Sequence, residues 1–426
     1  MEIKNLGDCV DLIIDYRGKT PQKMGSDWSD EGYRVISAKN VHYGMITDED
    51  SIRCVNEDIY SRWMKEEIKR GDCFLASEGA SLGESAIWDS DEKVVLGQRL
   101  FAIRADGSNL DPWYLAYYLQ TEGFREQINQ SSTGSTVFGI SQPILCNLQL
   151  MLPDIAIQRR IGDLYKHILY GIKNNYRLVN ELELMLKTIY EYWFVQFDFP
   201  DDKGMPYKDS SGPMEKTHDG VDIPKGWRRE TLKNKYRIEK GLSYSSDDIK
   251  SGEGIAMINL ACIDIHRNYR DGQLKYHAGN VPSETMLKAG DMLIACTDLT
   301  RNADIVGCPI LVPDDGADYT YSTDIAKIYS VEEGLDNMYL YMTLRTDSYH
   351  NYIKKWASGT NVLHLNLDGL DWYEVNIPPI ELQKRYSVLV KEVHNRESQI
   401  LKENRNLVEL KNTVLPMLMN GQAYIQ

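Results

Sequence analysis

Cysteine is scarce in this chain of 426 residues, and basic residues are outnumbered. The seven cysteines (Cys9, Cys54, Cys73, Cys146, Cys262, Cys296, Cys308) are scattered, and none forms a Cys-x-x-Cys pair. An odd, dispersed set excludes a disulfide framework and a zinc site of the usual spacing; it reads as reduced core thiols in a cytoplasmic protein. The eight histidines show no metal-ligand spacing either. No apolar run approaches the roughly 20 residues needed to span a bilayer, and the start, MEIKNLGDCVDL, lacks a basic-plus-apolar signal segment. With 48 Lys+Arg against 63 Asp+Glu the net charge is −15. That balance argues against non-specific coating of nucleic acid, though not against a local DNA-binding face. Catalytic signatures are missing as well. There is no phosphate loop, no Gly-x-Ser-x-Gly elbow and no His-Glu-x-x-His. Asn376-Ile377-Pro378-Pro379 is not an adenine methyltransferase motif, because Ile377 interrupts it and no aromatic follows. No enzymatic activity, cofactor or metal is therefore expected.

What the chain does have is a long apolar ladder, present twice. LPDIAIQRRIGDLYKHILYGIKNNYRLVNELELMLKTIYEYWF starts near Pro153, and IPPIELQKRYSVLVKEVHNRESQILKENRNLVELKNTVLPMLMNG starts near Pro378. An offset of 225 relates them. Seven-residue spacing gives the rows Ile161, Ile168, Asn175, Leu182, Ile189 and Leu164, Gly171, Leu178, Met185. Their counterparts are Tyr386, Val393, Ile400, Leu407, Val414 and Leu389, Arg396, Glu403, Leu410. So narrow a stripe predicts a coiled-coil seam, with the two helices paired antiparallel. In that register Gly171 should lie near Glu403, Leu178 near Arg396 and Asn175 near Ile400.

The segments before the helices also match. Residues 1–152 alternate β-like runs such as Tyr33–Val41 and Val94–Ile103 with glycine turns, and Asp111–Gln130 reads as one helix capped by Asp111. Residues 226–376 repeat this plan. The organisation predicted is an α+β domain (1–152), a long helix (153–197), a linker (198–225), a second α+β domain (226–376) and a second long helix (377–421). The fold class expected is two similar α+β domains joined by an antiparallel coiled coil with internal pseudo-twofold symmetry.

Binding is the chemistry left open. Polar, Gly-containing loops recur at matched places: Tyr16–Pro21 with Glu239–Tyr244, and Ser132–Thr136 with Ser358–Asn361. Hydroxyls and backbone N–H groups hold phosphates, while Arg, Lys and Asn read base edges. The candidate DNA contacts are Arg17, Lys19, Lys39, Asn40, Tyr43, Ser135 and Thr136 in the first domain. In the second they are Lys240, Tyr244, Asn259, Arg267, Arg270, Thr360 and Asn361. Lys225–Lys240 adds seven basic residues against Glu230 and Glu239, which is consistent with a phosphate-facing edge.

Taken together, the strings Tyr192-Trp193-Phe194, Phe197-Asp198-Phe199-Pro200, Gly204–Lys208, Ile223–Trp227, LPDIAIQ and IPPIELQ resemble the specificity subunit of type I restriction-modification enzymes. The resemblance spans essentially the whole chain. It implies that each variable domain reads one half of a split double-stranded DNA target and that the helices set the spacing. It further implies that two methyltransferase subunits and two restriction (nuclease/translocase) subunits supply the chemistry. The competing expectation is a coiled-coil protein-interaction adaptor without sequence-specific DNA binding.

Overall fold

The computed structural model describes residues 1–133, 138–250, 252–300 and 302–423. The chain divides into two compact units: residues 1–174 with 406–426, and residues 175–405. The boundaries cut through both long helices, so each helix is shared between the units rather than forming a separate module.

Unit 1 is built on a four-stranded antiparallel sheet and a smaller three-stranded one. Its elements are β1 (Glu2–Asn5), β2 (Val10–Asp15), β3 (Tyr33–Ile36), β4 (Arg53–Val55), β5 (Cys73–Ala76), β6 (Ser85–Ile87), β7 (Val95–Leu96), β8 (Leu100–Ala105), α1 (Pro112–Tyr118), α2 (Glu122–Ser131) and β9 (Gln149–Leu152). The larger sheet runs β2-β8-β5-β6 and the smaller β4-β3-β7, while β1 and β9 form a ribbon. Successive side chains on a strand face opposite ways. Phe101 and Ile103 therefore join a core shared with the helices, and Leu100 and Ala102 join one shared with the smaller sheet. The run predicted as one strand breaks at Gly97–Arg99, where Arg99 takes φ 63°. The predicted helix Asp111–Gln130 is two helices. Asp111 caps the first through Trp113 N and Tyr114 N, and the Thr121 side chain caps the second. A capping hydroxyl offers the backbone a partner outside the helix, which makes Thr121 a natural break.

Unit 2 repeats that plan. After α3 (Ile155–Tyr190) come β10 (Met214–Lys216), β11 (Asp222–Pro224), β12 (Arg228–Thr231), β13 (Tyr236–Lys240), β14 (Ile255–Ile258), β15 (Lys275–His277), β16 (Met292–Ala295), β17 (Thr297–Asp298), β18 (Pro309–Leu311), β19 (Tyr319–Tyr321) and β20 (Ile325–Ser330). Then follow α4 (Asn337–Leu344), α5 (Asp347–Ile353), β21 (Ala357–Ser358), β22 (Leu363–Leu365), β23 (Glu374–Ile377) and α6 (Ile380–Met419). The sheet orders β13-β20-β16-β18 and β15-β14-β19 and the ribbon β12-β23 copy unit 1, and β17-β22-β21 matches the single bridges Glu78–Gly139 and Thr133–Gly139 there.

One device repeats atom for atom. Gln158 accepts from Asp111 N at 3.1 Å and donates to the carbonyls of Asn109 and Pro153, each at 2.9 Å. Gln383 accepts from Asp336 N at 2.8 Å and donates to Gly334 and Pro378 at 2.8 and 2.7 Å. This is why both long helices open with a proline and then a glutamine. The glutamine ties the helix start to the loop before α1 or α4.

The segment predicted as a linker is folded. α3 continues into a wider turn, Glu191–Val195. Phe199 stacks between Tyr207 and Trp227, with ring centroids 4.5 and 5.5 Å away, and Phe194 and Phe197 also reach Trp227. Its aromatics lack a period because the chain wraps around Trp227 instead of forming one regular element.

The helices do pair antiparallel, one turn away from the expected register. In unit 2, Asn175 Nδ2 donates to Asn404 Oδ1 at 2.8 Å, and Tyr386 donates to the Leu186 carbonyl at 2.8 Å. In unit 1, a Cβ on Gly171 would stand 3.1 Å from Leu407 Cδ1. Asn175 thus meets Asn404 instead of Ile400, and Gly171 meets Leu407 instead of Glu403. Of the seam residues, Ile161, Ile168, Tyr386 and Val393 are buried, and Leu164, Leu182, Ile189, Leu389, Leu407 and Val414 are partly so. Met185 and Leu410 are exposed, while Leu186, Tyr190 and Leu415 turn inward. Each helix packs on its own unit as well as on its partner. A helix buried on two sides needs a stripe broader than a seam, so the 3.6-residue period displaces the strict seven.

Candidate nucleic-acid interface

The register of the four-stranded sheet places one row of residues side by side in each unit. In unit 1 the row is Asp15, Phe101, Leu75 and Ser85. In unit 2 it is Lys240, Ala326, Ile294 and Pro309. Beyond each row the chain leaves the sheet, so the connecting loops gather at that end. Tyr16–Pro21 and Glu239–Tyr244 leave the sheet there, and the described end of the other pair, Ser132–Thr133, joins the cluster through the Thr133–Gly139 and Glu78–Gly139 bridges, as Ser358 does through His364 and Thr297.

In unit 1 Arg17 fastens the loops. It forms a two-pronged ion pair with Asp15, donates to the Ile140 carbonyl at 2.9 Å, and lies over Phe101 with its guanidinium carbon 4.3 Å from the ring centre. Gly79 N donates to Phe138 O at 3.0 Å, and Arg99 pairs with Glu78. Tyr43 N reaches Glu84 and Gly44 N reaches Ser85 O, which brings Tyr43 to the same end, 64% exposed.

Unit 2 builds its loops differently. Asp298 is fully buried, and its carboxylate accepts from Thr300 N, Ile305 N and Val306 N at 2.6–2.9 Å. That cradle fixes the loop whose tip is Leu299, 67% exposed. Thr297 hydrogen-bonds Asp324, and Leu365 N reaches Cys296 O, joining the β21–β22 hairpin to the cluster. Gly359, at φ 144°, turns that hairpin where a Cβ would strike the Val362 carbonyl.

The individual candidates fall into three groups. Tyr43, Lys240, Arg270, Thr360 and Asn361 are exposed, as is Lys39, whose ammonium also donates to Ser51 O. Tyr244 is half-buried, with its hydroxyl accepting from Lys275 at 2.8 Å. Others serve the fold. Asn40 and Asn259 are buried, with their amides spent on neighbouring turns, so neither reaches a base edge. Arg17 is committed as described. Lys19 donates to Trp63 O at 2.8 Å, and burial, followed by repulsion from Lys65, lowers its pKa. Arg267 pairs with Asp347 on α5. Ser135 and Thr136 lie outside the described residues. The basic run at Lys225–Lys240 is not a bare phosphate-facing edge: Arg228 and Lys235 share Glu230 and Glu332, and Arg229 pairs with Asp219 and Glu374.

Sequence reasoning missed the apolar tips Phe138 and Leu299. A search for charge and amides passes over them, and only their loop position marks them. The exposed set offers hydroxyl, amide, ammonium and apolar groups, which are the means of reading base edges and thymine methyls. Among the described residues there is no His/Cys/Asp/Glu cluster fit for a metal ion and no helix long and apolar enough to cross a membrane.

Comparison with known proteins agrees with this picture. Residues 1–184 match the family described as "Type I restriction modification DNA specificity domain". The chain is 22% identical to the type I restriction enzyme HindI specificity subunit of Haemophilus influenzae, over 84% of this chain and 88% of that one. It is 20% identical to the type I restriction enzyme MjaIX specificity subunit of Methanocaldococcus jannaschii, over 74% and 69%. The crystal structure of a type I restriction-modification system S subunit from M. genitalium superimposes with a TM-score of 0.52 at 13% identity, covering 98% of this chain and 95% of that one. That likeness shows the shared fold. The resemblance drawn from the sequence stands: the chain is similar to type I specificity subunits over most of its length, and residues 1–184 match the DNA specificity domain of that family.

Proposed function

We propose that the chain reads a bipartite double-stranded DNA target, one half with the loop cluster of each unit, and directs adenine methylation and restriction by partner subunits in the cytoplasm. The observation that carries this reading is the repetition itself. The same sheet end bears loops in both units, on a framework matched hydrogen bond by hydrogen bond, while the loops differ in sequence, length and internal bracing. A repeated scaffold with divergent tips suits two readers of different sequences. Two methyltransferase subunits and two restriction subunits complete the assembly in this reading.

The acidic balance bears on affinity. Residues 1–152 carry 15 Lys+Arg and 24 Asp+Glu, a net of −9, and residues 226–376 carry 16 and 22, a net of −6. Phosphate neutralisation supplies much of the affinity for DNA, so the partner subunits contribute part of the positive surface. The chain alone then binds DNA weakly at about 150 mM salt.

The test is co-expression with its methyltransferase subunit and sequencing for methylated adenines. The expected result is a split motif with a fixed gap. Replacing Thr360 and Asn361 by alanine should relax one half of the motif and leave the other unchanged. Methylation without a split motif, or a change in both halves, overturns the reading.

A further inference from the structure

Each loop cluster carries one exposed apolar side chain, Phe138 at 56% in unit 1 and Leu299 at 67% in unit 2. No other large apolar side chain among the described residues is as exposed as Leu299. The two stand on a matched framework. Glu78 and Thr133 both bridge to Gly139 in unit 1, as Thr297 and Ser358 both pair with His364 in unit 2. Beyond that point the arms differ. In unit 1 the apolar group comes from the Gly139 arm, and the Glu78 arm offers only Gly79 and Ala80. In unit 2 it comes from the Thr297 arm, and Leu363 on the other arm is half-buried. Unrelated residues thus put an exposed apolar group within two residues of the same bridge.

Leu299 is held in place as well as exposed. A buried carboxylate is costly unless hydrogen bonds satisfy it. The three that Asp298 accepts, from Thr300 N, Ile305 N and Val306 N, all run to the loop that carries Leu299. The Thr300 hydroxyl accepts from Asp304 N at 2.8 Å and braces the same loop again. A side chain on a loop fixed in advance gives up little freedom on contact. The strand pairing ends at Asp298–Leu363. Past it one arm supplies Leu299 and the other supplies Val362, Asn361 and Thr360. The leucine therefore stands next to the turn that carries an exposed amide and an exposed hydroxyl.

We propose that Leu299 is a specificity-determining residue that packs on the 5-methyl group of one thymine in the half-site read by unit 2, next to the bases met by Thr360 and Asn361. The inference rests on the proposed DNA reading and names the base feature that this loop selects. In the major groove thymine presents a methyl group, and cytosine has none at that position. The leucine side chain offers no hydrogen bond, so that methyl is the one base feature it distinguishes. The neighbouring amide and hydroxyl supply the polar part of the same readout.

The test uses the full chain purified with its methyltransferase subunit, after the motif has been mapped by sequencing methylated adenines. Duplexes bearing the motif have each thymine replaced singly by deoxyuridine, which removes the methyl and nothing else. At one position, in the half that Thr360 and Asn361 govern, the complex should bind the substituted duplex about fourfold more weakly, the weight of one buried methyl group. Leu299→Ala should make thymine and deoxyuridine equivalent at that position alone, and Leu299→Met should keep the preference. Phe138→Ala, in the other unit, should also leave it unchanged. Matching thermal midpoints show that each variant folds. A split motif whose unit 2 half is indifferent to deoxyuridine overturns this inference alone, as does a preference that survives Leu299→Ala. Equal weakening on every duplex by Leu299→Ala overturns it in favour of an apolar wedge between bases. Absence of any split motif overturns the DNA reading, and this inference with it.

Discussion

Units 1 and 2 share a framework yet differ in how they hold the long helices. Unit 1 uses apolar packing: Ile161, Tyr165, Ile168 and Ile172 share a core with Leu415 and Leu418. Unit 2 adds buried charge. Arg345 donates to Glu183 at 2.8 Å, to the Arg267 carbonyl and to Asn268, and Glu397 lies half-buried beside them. What stays the same is the set of hydrogen bonds that fixes backbone, namely the Gln158 and Gln383 clamps and the Asp111 and Asp336 caps. Tyr114 donates to Met151 O just as Tyr339 donates to Asn376 O. A sheet pairing depends on backbone position, so those bonds have few substitutes. A helix face needs volume filled and polar groups satisfied, and either chemistry suffices.

The sharpest way to break this comparison is Arg345→Met. It strips buried Glu183 of its guanidinium partner, which should cost about 3–5 kcal/mol in denaturant unfolding of the full chain. Gln120→Met, at the matching place in unit 1, should cost about 1–2 kcal/mol, the neutral hydrogen bonds its amide donates to Ala116 O and the Tyr165 hydroxyl. Equal losses would show that the two helix faces are not held differently.

The glutamine clamps test the shared part. Gln158→Leu and Gln383→Leu each remove a three-bond hub and strand buried polar groups, for an expected loss of about 2–3 kcal/mol apiece. The two losses should match, and a large disparity would mean that the repeated geometry is not energetically repeated.

The smallest effect is in pH dependence. Burial, followed by the Glu183 charge, pushes the Glu397 carboxyl well above its ordinary 4.5. The folded chain then keeps a proton that the unfolded chain releases above 4.5, so stability falls as pH rises from there toward the folded value. Burial lowers the His394 pKa below 6.5, which costs stability only as pH falls below 6.5. As pH rises above 4.5, Glu397→Gln should therefore flatten the decline in thermal midpoint, and an unchanged slope would place the cause elsewhere.

The sequence carried the architecture well because the signals came in pairs. The offset of 225 tied two weak patterns together, and the repeated sheet order and the repeated clamp follow it. The helix register slipped by one turn because a seven-residue ladder describes a helix with one neighbour, and these have two. The folded 198–225 segment was hidden by its own composition, since Gly, Pro and Asp also mark turns in a well-packed wrap. Site residues were least legible. Asn40 and Arg17 look like DNA contacts by chemistry, but only the fold reveals that their donors are already used. Phe138 and Leu299 carry no chemical flag at all.

The division of the chain has a consequence for its synthesis. Unit 2 is one continuous stretch, residues 175–405, whereas unit 1 joins residues 1–174 to residues 406–426. Leu415, Leu418 and Met419 lie within the unit 1 core. The half made first on the ribosome is therefore the half completed last. Its nascent core waits, unsealed, while the whole of unit 2 is translated, and a chain that stops short at its tail loses packing in the domain at its head.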